Sequence, residues 1–207
     1  MSITATALYK AITAVVPHAG NARYPYLSIE QTSDALHLIA TDTYTLAVAR
    51  IPGAPARPAP WHLAIDRTDT NSLLTWLKGR ELVDLDETDG LLNIHSSRGS
   101  TLSLQAGPAS EPHCRWRSVL TLALQAHGDI SSPRETLFLR SSLLARWDSA
   151  DPKLEWIPGP NGAPLIARGK NFIGLQMPMP ASGGNPTQAV TEVAREWDIE
   201  TQPSALS

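Results

Sequence analysis

With 207 residues, 42% of them apolar, the chain is long enough to bury a core and is not disordered as a whole. Its formal charge of −3 and pI near 6.0 exclude an all-over basic, nucleic-acid-coating surface, so any DNA contact must come from a local patch. The single cysteine, Cys114, excludes an internal disulfide and a thiolate metal cage. No apolar run approaches the roughly 20 residues of a spanning helix, and MSITATALYK lacks a basic start followed by an apolar block, so the chain is expected to be soluble and cytoplasmic, with no membrane partner.

In chain order, TATALYKAITAVV places Leu8, Ala11, Ile12 and Val15 at i, i+3, i+4 and i+7 and predicts a first helix. The alternating runs YLSIEQT, LHLIATD and YTLAVARI follow as strands. After the proline-rich IPGAPARPAP come WHLAID, a helix TNSLLTWLKGR with Asp69 or Thr70 as N-cap, LVDLDET, a hairpin turn at Asp89-Gly90, LLNIHSS and TLSLQ. A third segment repeats the plan: TLFLRSS, a short helix SLLARWDSA, KLEWI, a turn around PNGA, PLIARG and NFIGLQMPM. Ser72-Leu73-Leu74 ahead of Trp76 matches Ser142-Leu143-Leu144 ahead of Trp147. The chain therefore reads as three copies of one helix plus three or four strands, an α+β architecture. Beyond a Gly-Gly-Asn-Pro linker, Ala189, Val190, Val193, Ala194 and Trp197 share one face of an amphipathic tail.

Enzymatic signals are weak. VDLDETDG has carboxylates spaced like a calcium loop, but the required glycine falls at Asp89. His113-Cys114 is an isolated pair, the six histidines show no ligand spacing, and neither a phosphate loop nor a nucleophile elbow occurs. Neither catalysis nor a metal or other cofactor is expected.

The stretch ATDTYTLAVARIP, from Ala40 to Pro52, resembles the middle domain of the bacterial DNA polymerase III β sliding clamp family, where Ala-Thr-Asp-Gly-(His/Tyr)-Arg-Leu-Ala-Val is typical. NFIGLQMPMP is similar to that family's closing strand, which ends on Met-Pro-Met. Between them PHCRWRSVL, residues 112 to 120, resembles the linker from middle to last domain, two residues longer here. The resemblance implies a DNA-clamp fold of three units: a middle-like domain at 1–120, a linker at 121–133, half of a last domain at 134–181, and a linker and tail at 182–207, with the family's first domain absent. Family rings close from two chains of three domains, two units per domain. Three units per chain thus imply four chains for a ring of equal size, and an unpaired third unit that must find another chain's.

The resemblance implies a replication processivity factor that receives peptides of DNA polymerases and repair proteins in an apolar pocket and encircles duplex DNA as a homo-oligomeric ring. The alternative is a non-ring interaction module, a decoy or regulator. Carried over by position, the pocket's walls are Thr41, Thr43, Tyr44, Thr45 and Leu46 on one side, Leu175, Met177, Pro178 and Met179 on the other, and Pro112 and Val119 from the connecting run. Thr43 and Thr45 stand where the family has Gly and Arg, which narrows the site and removes a charge. Leu46, Val48 and the two methionines also read as core beneath a sheet. DNA-facing candidates on or near the helices are Lys10, Arg23, Arg67, Lys78, Arg80, Arg140 and Arg146, residue types that a solvated helix face explains equally well. Gln202 to Leu206 faintly resembles the Gln-x-(Ser/Asp)-Leu peptide that clamp partners insert, but such a match arises easily by chance and the segment reads better as a disordered polar terminus.

Overall fold

The alternating and helical patterns of the first 107 residues fold as two copies of one plan. The computed structural model describes residues 2–20, 25–32, 34–54, 61–107, 115–127, 139–159 and 162–179. The first copy opens with strand β1 (Ile3–Thr4) and helix α1 (Ala5–Val15). Thr4 caps α1 by accepting from the Ala7 N–H at 3.2 Å, which satisfies one of the helix's free donors. Leu8, Ile12 and Val15 then fall on one fully buried stripe. Strands β2 (Tyr26–Gln31), β3 (Ala35–Thr41) and β4 (Thr45–Pro52) follow.

The second copy comprises β5 (Trp61–Asp66), α2 (Arg67–Leu77), β6 (Leu82–Thr88), β7 (Leu91–Ser96) and β8 (Thr101–Gly107). Asp66, rather than Asp69 or Thr70, caps α2: it ends β5 in extended backbone and accepts from the Thr68 N–H at 2.8 Å. Asp69 instead sits in the first turn, where the helix dipole favours a carboxylate. The Asp89-Gly90 turn is as expected, with φ of 53° and 74° at the two residues, the pair of left-handed conformations that matches strand twist.

Residues 116–127 depart from the expectation of a connecting run and linker. They form helix α3 (Trp116–His127), free of Pro and Gly, with Leu120 and Ala123 buried three positions apart. Its start is fastened to β2: the Trp116 indole donates to the Glu30 carboxylate at 2.9 Å and Arg117 at 2.6 Å. The third unit contains α4 (Ser141–Leu144), a 3-10 turn at Ala145–Ser149, and strands β9 (Glu155–Ile157), β10 (Leu165–Gly169) and β11 (Phe172–Gln176). Of TLFLRSS, expected as a strand, Ser141 and Ser142 belong to α4, and residues 136–138 lie outside the described residues.

All strands join one antiparallel sheet in the order β1-β6-β7-β8-β5-β2-β3-β4-β11-β10-β9. The third unit is thus spliced onto the first through β4 and β11, which pair over five residues from Phe172 opposite Ala49 to Gln176 opposite Thr45. Alternation along β4 divides the packing. Ala47, Ala49 and Ile51 join the main core beneath α1 and the third unit's Trp147, whereas Leu46 and Val48 join a second cluster with Ile39, Ile166 and Leu175 beneath α3.

Candidate functional site

ATDTYTLAV turns without glycine because Asp42 replaces backbone freedom with hydrogen bonds. Its Oδ1 accepts from the N–H of Tyr44 at 3.0 Å, from the N–H of Thr45 at 2.8 Å and from the Thr45 hydroxyl at 3.0 Å. The Thr41 hydroxyl donates to the Thr45 carbonyl at 2.7 Å. Thr43 is thereby held at φ 78°, a left-handed conformation unusual for a β-branched residue. Tyr44 is carried to the tip and stands 57% exposed.

The closing strand arrives beside this turn. Leu175 lies opposite Leu46 in register, and the Met177 N–H donates to the Tyr44 carbonyl at 2.8 Å. Between the two segments opens a hollow of about 190 Å³ lined by Thr41, Thr43, Tyr44, Thr45, Leu46, Val119, Pro164, Leu175 and Met177. Met177 and Val119 are 42% and 41% exposed, and Leu46 forms buried floor. Eight of the sequence-predicted positions meet here. Pro178 and Met179 continue past the hollow without lining it, and Pro112 lies outside the described residues, as do His113, Cys114 and the tail at 180–207. Sequence reasoning missed Pro164. PNGA reads only as a turn, and nothing in it indicates that the following proline closes a wall 120 residues from Tyr44 in sequence.

A buried polar cluster lies behind the turn. Arg146 pairs with Asp42 and reaches the Thr45 hydroxyl at 3.5 Å. Burial alone would raise the Asp42 carboxyl, but hydrogen bonds from Arg146 and Thr45 outweigh it and hold the group below the usual carboxylate range. Trp147 packs at a tilt against His18, with ring centroids 4.2 Å apart, and donates its indole N–H to Gln176 Oε1 at 2.7 Å. His18 is fully buried, and neither ring nitrogen makes a hydrogen bond of good geometry among the described residues, the Arg146 backbone offering only a weak contact that slightly favours the protonated ring. Burial, reinforced by the Arg146 guanidinium and opposed by Asp42, lowers its pKa to about 4.

The DNA-facing candidates divide. Lys10, Arg67, Lys78 and Arg140 are exposed, and Arg23 lies outside the described residues. Arg80 lies 3.8 Å over the Trp76 ring and donates to the Trp76 carbonyl at the end of α2, and Arg146 is committed to Asp42. A second cavity of about 290 Å³ opens on the opposite, helical face, where Lys10 and Lys170 flank a wall of α1 alanines. Among the described residues no group of three or more His, Cys, Asp or Glu could hold a metal ion, and no helix is long and apolar enough to cross a membrane.

No protein-family model and no curated protein matches the sequence. Solved structures do match. A DNA polymerase sliding clamp from Pseudomonas aeruginosa, with ligand, superposes with a TM-score of 0.69 at 12% identity, over 86% of this chain and 65% of that one. The DNA polymerase III β subunit of Thermotoga maritima gives 0.66 at 11% identity, over 91% and 66%. A DNA polymerase III β subunit assigned in Eubacterium rectale gives 0.66 at 9%, over 87% and 65%. The chain spans about two thirds of the length of these proteins. Repeated units, one continuous antiparallel sheet and these superpositions agree: the chain has the α+β fold of the DNA polymerase III β sliding clamps.

Proposed function

We propose that this chain is a sliding-clamp-like processivity factor whose hollow between the Tyr44 turn, the Met177 end of β11 and α3 receives a short peptide from a DNA polymerase or repair protein. The observation that carries the reading is the meeting, in one open apolar hollow, of eight residues drawn from three separate parts of the chain. Half-exposed Tyr44, Val119 and Met177 around a buried Leu46 supply apolar contact for a peptide's hydrophobic side chains, and exposed Thr43 sets the polar margin, while buried Thr41 and Thr45 hold the turn that shapes the wall. A closed ring of copies would encircle duplex DNA through Lys10, Arg67, Lys78 and Arg140, by contacts to phosphates rather than bases.

Titration of a labelled Gln-x-Ser-Leu-type peptide tests the hollow. The parent binds, and Leu46→Asp and Met177→Asp lose affinity by about a hundredfold or more, because each places a carboxylate against apolar ligand surface without a partner. Leu46 is buried, so its variant is checked for folding by circular dichroism. Met177 is 42% exposed and its substitution leaves the fold intact. Equal binding by parent and Met177→Asp would sink the assignment.

A non-ring module, decoy or regulator, is the second reading. It is favoured by one observation: Arg80 and Arg146, two of the cations a ring would turn toward DNA, are already spent on contacts within the chain.

A further inference from the structure

Beside the Tyr44 turn and the end of β11, the hollow takes Val119 from α3, a helix outside the sheet's hydrogen-bond ladders. α3 rests on the sheet through Trp116, Leu120 and Ala123, which share one side, and of these Leu120 and Ala123 are buried. Apolar area alone would select a different side. Successive helical residues lie about 100° apart, so a rotation of about 50° would bury Leu124 beside Leu120 in place of Ala123. Leu124 is 52% exposed as the helix stands, and burying a leucine instead of an alanine removes more apolar surface from water. The same rotation would carry Val119 out of the hollow.

Polar contacts at the start of α3 favour the observed setting. Glu30, on β2, engages both carboxylate oxygens: Oε2 accepts from the Trp116 indole N–H at 2.9 Å, and Arg117 Nη1 donates to Oε1 at 2.6 Å and to Oε2 at 2.9 Å. The Trp116 ring also meets the Arg117 guanidinium, 4.1 Å from its centroid, and the His37 ring of β3, with centroids 5.3 Å apart. Burial alone would raise the Glu30 carboxyl, but the hydrogen bonds from Trp116 and Arg117 outweigh it and hold the group below the usual carboxylate range. Two donors on consecutive residues that meet one planar carboxylate fix a helix about its own axis, which the Leu120 and Ala123 contacts do not.

We propose that Glu30, which does not itself line the hollow, is a positioning residue for it: its carboxylate sets the rotation of α3 and so seats Val119 in the wall. Glu30 stands on β2, separated by β3 from the β4 bank of the site, and acts there only through the helix. The wall is thereby in place before a ligand arrives, and binding energy is not spent on turning the helix. This inference rests on the reading of the hollow as a peptide site and names what prepares one side of it.

The ligand-free protein and its peptide complex both test it. In a methyl NOESY spectrum the parent is expected to show contacts from Val119 to the methyl groups of Leu46, Leu175 or Met177 across the hollow, and Glu30→Ala to lose them while keeping the parent's circular dichroism. In titrations with the Gln-x-Ser-Leu-type peptide, Glu30→Ala is expected to bind about tenfold more weakly, as for a site competent in about one molecule in ten. Glu30→Gln, which keeps an acceptor for Trp116, falls between, and it carries the same comparisons should Glu30→Ala lose ordered structure. Observed association rates stay linear with peptide concentration in the parent and level off in Glu30→Ala, where α3 must first turn back. Val119 contacts retained in Glu30→Ala, or parent affinity in a variant that has lost them, would overturn the proposal; if Met177→Asp has meanwhile lost binding, the hollow itself stands. A parent that binds no peptide would refute the hollow, and the methyl contacts alone would then decide whether Glu30 sets α3.

Discussion

At the scale of single residues, the Tyr44 turn is governed by Asp42. One carboxylate oxygen takes three hydrogen bonds and the other an arginine, so Asp42 fixes the local backbone and ties it to the third unit. Thr43 bears the cost of that arrangement at φ 78°. Thr43→Gly is expected to stabilise the protein by about 1 kcal/mol, since relief of a strained left-handed β-branched residue exceeds the extra chain entropy glycine loses on folding. Thermal unfolding reads this as a rise in Tm of a few degrees; a fall would mean that threonine contributes more here than its backbone conformation costs.

At the scale of elements, the splice of the third unit onto the first depends on one close approach. An added Cβ at Gly174 of β11 would lie 2.3 Å from the Trp147 ring and 2.8 Å from the Leu46 carbonyl, neither of which can move freely. Trp147 is pinned by its hydrogen bond to Gln176 and by edge contacts with Trp156 and Phe172 at 5.5 and 5.9 Å. Gly174→Ala is therefore expected to destabilise by about 1–3 kcal/mol through overpacking. Chemical denaturation, followed by tryptophan fluorescence, would show a lowered midpoint; an unchanged midpoint would mean that Trp147 has another seat available. The elements were largely legible in the sequence, because period-two alternation marks each strand of the first two units and i, i+3, i+4 spacing marks α1 and α2. α3 was not. Its apolar residues are spread around the helix, with Leu122 and Leu124 exposed and Leu120 and Ala123 buried, so no stripe announces which side packs. What orders it, the attachment of Trp116 and Arg117 to Glu30, is a contact across 86 residues that no local pattern carries.

At the scale of the whole molecule, the hollow was readable by position through the family resemblance, but the charge network behind it was not. Arg146 reads as one more helix cation until tertiary structure brings Asp42 and His18 to it. That network makes stability depend on pH. The unfolded chain protonates His18 near its ordinary pKa of 6.5, while the folded chain keeps it neutral down to about 4. The unfolded state thus binds the extra proton between those values, and stability falls as pH falls through that window. The loss approaches about 3 kcal/mol by the lower end. Asp42, held below its ordinary range by Arg146 and Thr45, contributes a further loss in more acidic solution as it too takes up a proton. Urea unfolding across this range should show the slope in the parent and a flatter one in His18→Leu; parallel slopes would exclude His18 as the source.

The five-residue ladder between β4 and β11, extended by the Met177 to Tyr44 hydrogen bond, has a kinetic consequence. The two banks of the hollow formed by the Tyr44 turn and the end of β11 belong to a single ribbon, so no hinge between them must swing before an incoming chain can settle. Capture should then be a one-step encounter, its observed rate climbing in proportion to guest concentration without reaching a plateau.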